Sequence, residues 1–102
     1  MHTVIRTYTG SPGMVDELTK RQKDVETIIR DTAGFIAYYL IRTDDGMVSI
    51  TVCETKAGTD ETTRKAAEWI RTNLPQFAAK APQVTEGDLA FRFYDSKVKT
   101  SA

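Results

Sequence analysis

The chain has few of the residues that soft metal sites and disulfides require. Its 102 residues include one cysteine and one histidine. A lone cysteine forms no bridge within the chain, and these ligands are too few for a zinc site of the usual Cys/His kind. No sign of charge is in excess either, because 14 basic residues are matched by 14 acidic ones. General nucleic-acid binders carry a basic surplus, so the balance argues against that class. Long hydrophobic runs are also missing. The opening MHTVIRTY lacks the apolar stretch of a signal peptide, and no segment approaches membrane-spanning length. The expectation is a cytoplasmic protein with no membrane or nucleic-acid partner. A composition 40% hydrophobic and 27% charged is ordinary for a globular protein, and the length predicts one domain over residues 1–102. A domain of this size gains from a partner surface.

The most informative stretch is GFIAYYLIRTDDGMVSITVCET, Gly34 to Thr55. It reads as two strands joined at Asp45-Gly46, a pair suited to a tight turn with positive φ. By alternation, Phe35, Ala37, Tyr39 and Ile41 share one face of the first strand. Ile36, Tyr38, Leu40 and Arg42 share the other. Both faces are apolar, as expected of a strand covered on both sides. One layer of helices covers one side only, so a second copy of the chain is the expected cover for the other.

Around this hairpin, Thr3–Tyr8 reads as a first strand. A helix from about Pro12 to Thr32 follows, capped by Ser11 and closed by a left-handed Gly34. Met14, Val15, Leu18, Val25, Ile28 and Ile29 form its apolar stripe. A second helix, capped by Thr59 or Asp60, runs to about Asn73 or Leu74 and buries Ala66, Ala67, Trp69, Ile70 and Leu74. Pro75 ends it or restarts it as a short extra piece. Val84 and Thr85 are already extended, and Leu89–Tyr94 is the last strand. The polar tail after Asp95 reads as loose. The order β-α-β-β-α-β predicts an α+β, ferredoxin-like fold, a four-stranded antiparallel sheet with both helices on one face. The other face would be a large apolar patch in water, which pairing of two sheets about a two-fold axis removes.

Gly34-Phe35-Ile36, Tyr38-Tyr39, Asp45-Gly46, Ser49 to Glu54, Ala66-Ala67-Glu68-Trp69-Ile70 and Val84-Thr85-Glu86-Gly87 together resemble the antibiotic-biosynthesis-monooxygenase-like family of the dimeric α+β barrel superfamily. The resemblance covers nearly the whole chain. It implies a homodimer whose two sheets form a barrel, with a ligand cavity in each subunit between sheet and helices. It also implies either a cofactor-independent oxygenase acting on a small aromatic or polyphenolic compound, or a haem-degrading oxygenase. The haem-degrading branch uses an Asn on the first strand, a Trp on the second helix and a His about one short helix later. Trp69 matches the Trp, but the first strand has no Asn and no His follows Trp69. Axial ligation by that histidine is therefore excluded. The quinone-forming branch places an Asn one turn before the Trp, where this chain has Lys65.

The candidate catalytic residues are Trp69, Arg92 and Tyr39, and the candidate substrate-binding residues are Tyr38, Arg6 and Phe91. No metal and no cofactor is expected. Trp69 could donate its indole N–H to a substrate carbonyl, although core packing is the commoner use of such a residue. Tyr38 and Tyr39 are adjacent and so face opposite sides, and the sequence does not say which faces the cavity. Arg6 and Arg92 lie on expected strands, where an inward guanidinium could stabilise a phenolate, an enolate or an anionic oxygen intermediate. Arg42 is expected to form an ion pair or to reach the sheet edge. Cys53 reads as an inert small residue and His2 as a flexible terminal side chain. Two further readings make the chain a dimeric binding protein without turnover, or an accessory subunit whose cavity its own side chains fill.

Overall fold

The computed structural model describes residues 1–95. The polar tail beyond Asp95, expected to be loose, lies outside them. The element order is β1 His2–Tyr8, α1 Met14–Lys20, α2 Gln22–Arg30, β2 Phe35–Thr43, β3 Gly46–Cys53, α3 Lys56–Asn73, a 3₁₀ turn Pro75–Phe77 and β4 Gln83–Asp88. The strands form one antiparallel sheet in the order β2-β3-β1-β4. This is the expected α+β, ferredoxin-like arrangement. No helix is long and apolar enough to cross a membrane among the described residues.

Register sorts the side chains into two faces. In the β1–β3 ladder Arg6 pairs with Ser49 and Val4 with Thr51, and these four residues are buried on the helix side. The core cluster there joins Tyr8 and Met47 of the sheet to Met14, Val15 and Leu18 of α1 and to Ile70 and Leu74 near the end of α3. On the opposite face Ile5 pairs with Ile50, which also pairs with Tyr39, and Val48 pairs with Ile41. Tyr39 is 51% exposed and Ile41 46% exposed. The outer face of the single chain is thus apolar and only partly covered.

Several local expectations are corrected. The first long helix is two helices, broken at Arg21, whose φ of −116° and ψ of 30° leave the helical range. The cause is tertiary and involves no proline or glycine. The Arg21 guanidinium donates to the Asn73 carbonyl at the end of α3, 3.3 Å away, and lies 5.9 Å from the Trp69 ring centroid. A cation at the carbonyl end of a helix meets its negative pole. Ser11 does not cap α1 with its side chain; left-handed Gly13 stands at that position. α3 begins earlier than expected, at Lys56, with Thr55 at the cap position.

The hairpin forms at the expected place but not by the expected geometry. Its turn residues are Asp44 and Asp45, and Gly46 has no positive φ. Gly46 is needed for close approach instead, because a Cβ there would sit 2.0 Å from the Tyr8 carbonyl oxygen. The turn ties down the β1–α1 loop: Asp45 accepts the Gly10 N–H through its carboxylate and the Ser11 N–H through its carbonyl. A bulge between Phe35 and Ala37 shifts Phe35 out of register with Ala37, Tyr39 and Ile41. Phe35 pairs instead with Cys53, and the Arg30 guanidinium lies 6.0 Å from its ring centroid.

The last strand is also displaced. β4 occupies Gln83–Asp88 and not Leu89–Tyr94. Its ladder with β1 runs from Thr7–Gln83 to His2–Asp88, and one more bond, Leu89 N–H to the Met1 carbonyl, reaches the start of β1. Residues 90–94 lie beyond that ladder. Phe91 and Phe93 project from this segment and are 75% and 88% exposed.

Candidate functional site

A cavity of about 30 Å³ lies between the sheet and the helices. Its floor is Arg6 and Tyr8 of β1, Met47 and Ser49 of β3 and Tyr38 of β2; its roof is apolar, from α1, α2 and α3, and includes Trp69. Arg6 is the only residue in the lining with a formal charge at neutral pH. Ile28 and Trp69 also line a wider outer groove, about 620 Å³, between α2 and α3. These two side chains therefore stand between the two spaces. The groove carries Arg64, Lys65 and Arg71 together with Asp31 and Glu68.

Arg6 is held by three hydroxyls. Its Nε donates to Ser49 Oγ at 3.0 Å, one terminal nitrogen to Thr63 Oγ1 at 2.6 Å and the other to Thr51 Oγ1 at 2.6 Å. Tyr38 lies on the neighbouring strand and lines the same floor as Ser49. Burial holds the Arg6 guanidinium below its ordinary range. The same burial pushes the Tyr8 and Tyr38 phenols up, against the pull of the Arg6 charge. A neutral phenol pair beside a dry cation can donate hydrogen bonds to a bound oxygen without competing for the cation.

The structure brings three of the six candidate residues to this cavity, Arg6, Tyr38 and Trp69. It settles the tyrosine pair: Tyr38 faces the helices and Tyr39 faces away from them on the outer side. Phe91 and Arg92 lie in the segment after β4, with the Phe91 ring against Phe93 and the Arg92 guanidinium 5.0 Å from the Tyr94 ring centroid. In the single chain Tyr39, Phe91 and Arg92 are absent from the cavity lining. Arg42 forms a surface ion pair with Asp16 at 2.8 Å. Cys53 is buried on the helix side, packed against Gly58, and burial pushes its thiol up. Such a thiol is inert.

His2 is not a flexible terminal group. It is buried on β1, its Nδ1 hydrogen-bonds to Thr59 Oγ1 at 2.6 Å, and its Nε2 lies 3.4 Å from Glu86. The residues that sequence reasoning missed are the hydroxyls. Ser49, Thr51 and Thr63 alternate or recur at helical spacing, but a small polar residue gives no hydrophobic signal, and only their register opposite Arg6 reveals their role.

No protein-family model matches the chain, and no curated protein matches it. Solved structures do. A putative antibiotic biosynthesis monooxygenase from Bordetella bronchiseptica is 15% identical, with 88% of this chain and 97% of that one covered and a TM-score of 0.67. The monooxygenase from the gene ActVA-Orf6 of Streptomyces coelicolor, in complex with the ligand nanaomycin D, is 16% identical over 93% and 91%, with a TM-score of 0.63. The haem degrader MhuD of Mycobacterium tuberculosis, with two haems in its active site, is 14% identical over 92% and 100%, with a TM-score of 0.61. The chain thus has the α+β fold shared by antibiotic-biosynthesis-type monooxygenases and haem degraders. At such identities the likeness establishes the fold and leaves the reaction open.

Haem does not fit the cavity as it stands. A space of about 30 Å³ is far smaller than a porphyrin, and neither His2 nor Cys53 lines it. Burial raises the two tyrosines that do line it, which disfavours the phenolate that an iron ligand would need. Among the described residues no group of three or more His, Cys, Asp or Glu side chains could hold a metal ion.

Proposed function

We propose that the protein is a cofactor-independent monooxygenase of small electron-rich aromatic compounds, working as a homodimer. The observation that carries this reading is the convergence of Trp69 and Tyr38, from α3 and β2, on one apolar cavity with a single buried cation at its floor. A phenol seated there would lie against the indole and within reach of the Tyr38 hydroxyl. Electron-rich phenols react with dioxygen once deprotonated. The phenolate gives one electron to O₂, and the radical pair joins at a ring carbon bearing hydrogen. The ring-bound peroxide anion takes back the proton the phenol released, and the hydroperoxide then loses water to leave a carbonyl. One phenol and one O₂ become one quinone and one water. The protein's part is to exclude water, hold the ring and offset negative charge on oxygen.

The homodimer is supported by the outer face. Ile5, Ile50, Val48, Tyr39 and Ile41 form a contiguous apolar surface across three strands, and a second sheet packed on it would remove that surface from water. Phe91 and Phe93 project beyond the sheet and add to what a second copy would bury.

A protein without turnover, either a binding protein or an accessory subunit whose own side chains fill the cavity, is the second reading, and the small cavity volume favours the accessory subunit. About 30 Å³ holds water-sized occupants, so an aromatic ring and O₂ enter together only if Trp69 and Ile28 swing toward the outer groove. Oxygen uptake decides between the two. The oxygenase reading expects uptake with at least one member of a dihydroxynaphthalene and dihydroxyanthraquinone panel, and a loss of at least about tenfold in Trp69→Ala. No uptake across the panel removes that reading and leaves a protein without turnover.

A further inference from the structure

The charge balance of the cavity points to its ligand. Arg6 is 1% exposed, yet all of its side-chain hydrogen bonds go to uncharged hydroxyls. Among the described residues no carboxylate forms an ion pair with it. The ionisable groups that act on it are Tyr8, Tyr38 and Cys53, which are neutral at pH 7 in their ordinary range and are pushed further up by burial. Buried charges in proteins are ordinarily paired, because an isolated one forfeits its hydration without return. A guanidinium carries five N–H donors in a rigid planar fork. Three are committed to Ser49, Thr63 and Thr51, which leaves one N–H on each terminal nitrogen.

The hydroxyls fix the fork without neutralising it. This is what a site needs if the counter-charge arrives with the ligand. A cation held this way favours planar oxyanions, which match its geometry.

We infer that the ligand of this cavity binds as a planar oxyanion, a carboxylate or a phenolate, whose charge completes an ion pair with Arg6. The inference rests on the cavity being a ligand site, as proposed above, and is independent of turnover.

Three dyes of nearly equal size test it with the full chain: 4-nitrobenzoate, 4-nitrophenol and the neutral 4-nitroanisole. Binding is read as quenching of Trp69, the sole tryptophan. The expected result is that at least one of the two acids binds about 10- to 100-fold tighter than nitroanisole, the range for a hydrogen-bonded charge. If phenolate is the preferred form, the visible phenolate band appears on binding at a pH where the free dye is mostly protonated. Tighter binding of the benzoate identifies a carboxylate ligand instead. Arg6→Gln abolishes the preference for the acids, and Arg6→Lys keeps part of it. Nitroanisole binding as tightly as both acids overturns the inference. So does an absence of binding by all three dyes, or a preference that survives in Arg6→Gln. Should Arg6→Gln fail to fold by circular dichroism, the wild-type comparison of acidic and neutral dyes still decides. An acid preference without oxygen uptake removes the oxygenase reading alone.

Discussion

Replacing Arg6 by Met separates a structural role for the guanidinium from a ligand-directed one. Methionine fills similar length and adapts to irregular space. Its cost falls on the hydroxyls. Thr51 is 0% exposed and would lose its Arg6 partner, a penalty of about 1–3 kcal/mol for a buried polar group left unsatisfied. Ser49, 2% exposed, loses its Arg6 partner as well, whereas half-buried Thr63 can reach water. Against this stands the relief of holding an unpaired charge away from solvent, worth several kcal/mol even after relaxation. The two effects oppose each other, so the stability of Arg6→Met is expected within about 2 kcal/mol of wild type, on either side. Urea unfolding at pH 7, followed by Trp69 fluorescence and circular dichroism, measures it. In the same variant, binding of the acidic nitro dyes is lost. A destabilisation above about 4 kcal/mol would refute the reasoning, because the arginine would then be a strut whose hydrogen bonds outweigh its desolvation.

Gly46→Ala should destabilise by about 3 kcal/mol or more, since the new Cβ meets backbone and not a movable side chain; a melt within a degree or two of wild type would contradict this. Ile50→Lys, at the centre of the outer face, should convert a two-copy species into a single copy at micromolar concentration in sedimentation velocity, with the helix-side core intact. Stability should also fall at alkaline pH. Tyr8 and Tyr38 have folded pKa values raised by burial, so their contribution is whole below the unfolded phenol value of about 10 and is lost as pH rises from there through the folded values. Tyr38→Phe should flatten that fall in urea midpoints between pH 8 and 11, whereas an unchanged slope would show that the phenol carries none of it.

The layout of strands and helices was legible because it rests on hydrophobic period and turn residues. The Phe35–Thr43 and Gly46–Cys53 strands, the stripe of Met14, Val15 and Leu18, and the burial of Ile70 and Leu74 all follow from that pattern. The pattern fails where packing is polar or tertiary. The start of α3 buries Gly58, Thr59 and Thr62, and these give no apolar signal. Ala67 fits the expected stripe and is nevertheless exposed. Arg21 breaks a helix that its neighbours favour because its side chain reaches the end of α3. Leu89–Tyr94 has the alternation of a strand, but Gln83–Asp88 takes the ladder with β1. At the site, Arg6, Tyr38 and Trp69 could each be proposed from residue type and position alone. Their meeting depends on register and on the bulge at Phe35, which a sequence does not display.

The central claim is that the space between Arg6 and Trp69 receives a ligand. A crystal structure of the full chain soaked with 4-nitrobenzoate tests it most directly. The account predicts the carboxylate within hydrogen-bonding distance of the Arg6 guanidinium, the ring against Trp69, and Ile28 and Trp69 moved toward the outer groove. A cavity that stays closed, with the dye elsewhere or absent, would contradict it.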